Sequence, residues 1–99
     1  VYFENLHDIE GARKSFEEFV KTYPRSPRLA AAYVFLGLIA EREGDKRRAE
    51  EMYRKALNHV LNSPVQARMV KEEVTELNLQ VEDQAEVAKK LMDRISSLR

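Results

Sequence analysis

The sequence has no cysteine, and its 99 residues include only three glycines, three prolines and two histidines. Without cysteine there can be no disulfide and no thiolate metal site, which leaves the redox compartment open. Gly11, Gly37 and Gly44 are isolated from one another, so no glycine-rich phosphate loop can form. No apolar run approaches the roughly 18 residues needed to span a membrane. The longest, residues 29–40 (LAAAYVFLGLIA), is bounded by Arg28 and Glu41, and direct membrane insertion is not expected. No secretory-signal pattern is present. Nor is charge of one sign in excess: Lys+Arg and Asp+Glu both number 17. Nucleic acid would need a basic footprint. The one basic cluster, Lys46-Arg47-Arg48, is flanked by Glu41, Glu43, Asp45, Glu50 and Glu51.

Catalytic constellations are equally scarce. Neither His7 nor His59 has a second histidine or a glutamate motif at ligand spacing, so both read as solvated or packing residues. The acidic pairs Glu17-Glu18, Glu50-Glu51 and Glu72-Glu73 lie beside lysines and arginines, where pairing four residues apart explains them better than acid/base work. No serine has a partner that would activate it as a nucleophile. The expectation is a protein without catalytic site, metal or cofactor.

What the sequence does have is helical periodicity. From Asp8, a good N-cap, the apolar positions Ile9, Ala12, Phe16, Phe19, Val20 and Tyr23 recur at spacings of three and four, the stripe of a helix over residues 8–23. Pro24 ends it. Ser26 can cap the next helix with Pro27 in its first turn, where no amide hydrogen is required. That second helix, residues 27–43, is apolar nearly all round and should be the most buried element. Gly44 suits the left-handed residue after a helix end, and Asp45 can cap a third helix with the stripe Ala49, Met52, Tyr53, Ala56, Leu57, Val60 and Leu61. Ser63-Pro64 then opens another cycle, with Gln66 placed to complete a capping box.

These signals repeat. Asp8 and Asp45, Ala12 and Ala49, Phe16 and Tyr53, Ser26-Pro27 and Ser63-Pro64 each stand 37 residues apart. An in-phase repeat of that length predicts stacked helix–turn–helix units. The expected organisation is one helical domain over residues 1–99: a partial unit at 1–26, a full unit at 27–63 and a diverged capping unit at 64–99. The chain is expected to be an excerpt of a longer protein. For residues 64–98 two readings stand. One is a helical hairpin, with helices at about 64–79 and 83–98. The other is a single long helix, for which Val70, Val74, Leu77, Val81, Gln84, Ala88, Leu91, Ile95 and Leu98 supply a heptad-like pattern.

The second unit, with Tyr33, Leu36-Gly37, Ala40, Gly44-Asp45, Ala49, Tyr53, Ala56 and Pro64, resembles a tetratricopeptide repeat. The first unit carries the second half of the motif, with Phe19 in place of the usual alanine. The third matches poorly, having Glu86 and Lys90 at the small and aromatic positions. The resemblance implies an all-α fold, a short right-handed α-solenoid, and a non-enzymatic module that binds a protein or peptide. The 37-residue spacing and the Tyr23–Pro27 linker also resemble a bacterial cell-envelope branch, of the Tol–Pal coordinator and outer-membrane assembly lipoprotein type. That branch would imply a periplasmic or outer-membrane-associated setting, with the cytoplasm as the alternative.

By phase, the resemblance places Ala31, Val34, Leu38, Glu41 and Arg42 on a concave partner-binding groove, joined by Arg68, Lys71 and Thr75 of the following helix. The competing reading is that Val34 and Leu38 are buried by a neighbouring unit. The alternative function is structural self-association into a homo-oligomer. It would use the incomplete first unit, where Phe16 and Phe19 lack a cover, and the heptad-like C-terminal segment.

Overall fold

A computed structural model describes residues 6–73 and 84–98. They form five helices: α1 (Leu6–Thr22), α2 (Leu29–Arg42), α3 (Lys46–Asn62), α4 (Pro64–Glu73) and α5 (Gln84–Ser97). Among the described residues there is no strand. The fold is all-α, a short helical solenoid.

Local chemistry explains most of the boundaries. Ser26 Oγ accepts the amide hydrogen of Arg28 at 3.1 Å, and the amide of Leu29 donates to the Ser26 carbonyl at 3.2 Å. Pro27 and Arg28 thus form a tight turn ahead of α2, which begins two residues later than Pro27. At its other end Gly44 adopts φ 80°, and the Asp45 amide donates back to the Ala40 carbonyl at 2.9 Å. This left-handed turn satisfies carbonyls that the helix leaves open. Asp45 caps α3 as expected, accepting from the Arg48 amide at 3.0 Å. Asp8 does not act as the expected N-cap boundary: α1 already starts at Leu6, since nothing at Leu6-His7 breaks a helix.

α2 is the centre of the molecule. Eleven of its 14 residues are buried, and α1, α3 and α4 all pack against it. Its closest partner is α3. A Cβ on Gly37 would lie 2.4 Å from Cε1 of the fully buried Tyr53, so the absence of a side chain there lets the Tyr53 ring sit against the α2 backbone. Ala49, Tyr53, Ala56 and Val60, the apolar strip of α3, are all 0% exposed. Leu61 was expected on that strip but is 56% exposed, because it sits on the solvent side of the last turn.

Among the described residues two helices follow Ser63, α4 and α5, which pack against each other; Val74, Leu77 and Val81 of the proposed heptad pattern lie outside the described residues. The direction of α5 departs from the 37-residue period. Gln84, at its start, donates to the carbonyls of Val60 and Leu61 at 2.6 and 2.9 Å, while Arg94, near its end, reaches the Tyr53 hydroxyl at 3.0 Å. α5 therefore runs antiparallel to α3, whereas the second helix of a further unit would run parallel to it. The physical reason lies in its sequence. Glu86 and Lys90 remove the small and aromatic positions that make the α3 strip. The helix instead buries Val87, Ala88, Leu91 and Ile95. Burying each of the larger of these side chains contributes about 1.5–3 kcal/mol.

Candidate interaction surface

The residues placed on a groove by phase are separated by the fold. Ala31, Val34 and Leu38 are buried, sharing one core cluster with Ala67 and Val70 of α4 and Val87, Leu91 and Ile95 of α5. The chain's own C-terminal helices fill the space those side chains face, as the competing reading had it for Val34 and Leu38. Glu41 is half-buried, Arg42 and Arg68 are exposed, and Lys71 is half-buried. Thr75 lies outside the described residues.

Glu41 has a structural occupation. Its carboxylate accepts from the Tyr53 hydroxyl and, at 2.7 Å, from Nε of Arg94. The three side chains tie the end of α2, the first half of α3 and the end of α5 together. Burial, followed by the hydrogen bond to Glu41, raises the Tyr53 hydroxyl well above the ordinary phenol range. For Arg94, burial works against the charge, but the bonds to Glu41 and Tyr53 outweigh it and the guanidinium is raised. Proton transfer is thus disfavoured at both groups, and the cluster acts as a clamp.

A second polar link went unseen in the sequence. Gln66 was expected to complete a capping box with Ser63. Only half of the box forms: the Gln66 amide donates to Ser63 Oγ at 3.4 Å, whereas its side chain leaves Ser63 and accepts from the Ala30 amide at 2.9 Å. One of the open amides at the start of α2 is thereby capped from α4. His59 has the packing role expected of it, stacked on Tyr33 with ring centroids 5.6 Å apart. Among the described residues no group of three or more His, Cys, Asp or Glu is arranged to hold a metal ion. None of the described helices is long and apolar enough to cross a membrane.

Leu61, Val65 and Met92 are exposed singly on α3, α4 and α5, and a partly open apolar strip lies at the other end of the molecule, on α1. Its inner side is fixed to the next unit: Ile9 is buried against Ile39, Glu17 pairs with Arg48, and Arg13 Nε approaches Glu43 at 3.6 Å. Its strip Ala12, Phe16, Phe19 and Tyr23 is the 37-residue counterpart of Ala49, Tyr53, Ala56 and Val60. Here the positions are only half-buried, and Tyr23 is 58% exposed. Phe16 stacks on Phe35 of α2 with centroids 5.0 Å apart. Beside this pair, between α1 and the start of α2, lies a pocket of about 270 Å³ lined by Ser15, Phe16, Phe19, Arg28, Ala32 and Phe35. Tyr23 leans on Phe19 at 5.4 Å and extends the apolar strip outward.

Residues 30–58 match the family model of the tetratricopeptide repeat, a span that holds most of α2 and α3. The match is to the repeat in general and carries nothing for a cell-envelope branch. No curated protein and no solved structure matches the chain.

Proposed function

With a tetratricopeptide repeat at residues 30–58 as the premise, we propose that this chain is a non-enzymatic protein-interaction module. Repeats of this family generally mediate contacts between proteins. The observation that carries the reading beyond the family is the apolar strip of α1, which the fold itself leaves partly open. The groove positions that stay accessible, Arg42, Arg68 and Lys71, are proposed as secondary contacts at a rim, with Ala31, Val34 and Leu38 supporting them from the core.

Selection from a library of helical peptides tests this reading. Binders should be recovered, and their amide shifts should map to one continuous surface of the chain. Failure to recover any saturable binder would contradict it. Self-association is the second reading, favoured by the same open strip. Sedimentation over a range of concentrations decides it, since a clean monomer throughout removes it.

A further inference from the structure

We draw no further inference here: the strongest candidate, the partly open apolar strip of α1 at Ala12, Phe16, Phe19 and Tyr23 with the pocket beside it, carries nothing because no observation in the structure shows what covers it.

Discussion

α1 and α3 are nearly the same helix in different surroundings. Both are 17 residues long, and a shift of 37 lays Ala12, Phe16, Phe19 and Tyr23 on Ala49, Tyr53, Ala56 and Val60, although Ile9 falls on Lys46 and Ser15 on Met52. Every member of the α3 strip is sealed by neighbours, whereas its α1 counterparts are partly open and end in the exposed Tyr23. The strip alone therefore does not decide whether a face is core or surface. What decides it is how many helices lie alongside: α2, α4 and α5 all pack on α3, with Gly37 leaving room for the Tyr53 ring, whereas among the described helices α1 packs chiefly on α2.

Substitutions in matched pairs can break this comparison. The largest contrast is expected from Val60→Glu against Tyr23→Glu, at equivalent positions. The first places an unpaired carboxylate at a fully buried site and should unfold the chain or cost more than about 4 kcal/mol. The second should stay within about 0.5 kcal/mol, as surface changes do. Urea denaturation of both variants measures the difference, and equal losses would mean that the two strips are equally buried.

Gly37→Leu comes next. Its side chain would collide with the Tyr53 ring, so a loss of about 1–3 kcal/mol or more is expected from overpacking. An unchanged melting temperature would remove that close contact from the account. The clamp at the far side of α3 gives a smaller effect. Tyr53→Phe keeps the ring but deletes the hydroxyl between Glu41 and Arg94, and should cost about 1–2 kcal/mol. It should also flatten the alkaline limb of stability. The Tyr53 pKa is raised in the fold, so its contribution is complete below the unfolded phenol value of about 10 and is lost as pH rises past it. Thermal melts from pH 8 to 11 on both proteins check this. The smallest effect is Gly11→Ala, at an open site within α1. It should stabilise by about 0.5–1 kcal/mol through helix propensity alone.

The parts of the fold that were legible in the sequence depend on neighbours in the chain. Ser26-Pro27, Gly44 and Asp45 marked the joints because caps and left-handed turns act within a few residues. Gly37 and Tyr53 were legible through the repeat. The contacts that hold α4 and α5 in place were not, since Gln66 reaches Ala30, Gln84 reaches Val60 and Arg94 reaches Glu41 across 24 to 53 residues. Single polar side chains leave no periodic signature. The groove positions suffered for the same reason. Phase assigned Ala31, Val34 and Leu38 to a surface, but α4 packs against α2 and the three residues share one core cluster with α4 and α5. The strip on α1 was legible because its period could be read against α3.

The most direct measurement is the stability lost on truncating the paired aromatics, Tyr53→Ala and Phe16→Ala, by urea unfolding of the free chain. The account predicts about 3–5 kcal/mol for Tyr53, fully buried against Gly37, and about half that for Phe16, which is only half-buried. Equal losses at the two positions would contradict it, because the strip on α1 would then be as fully covered as its twin.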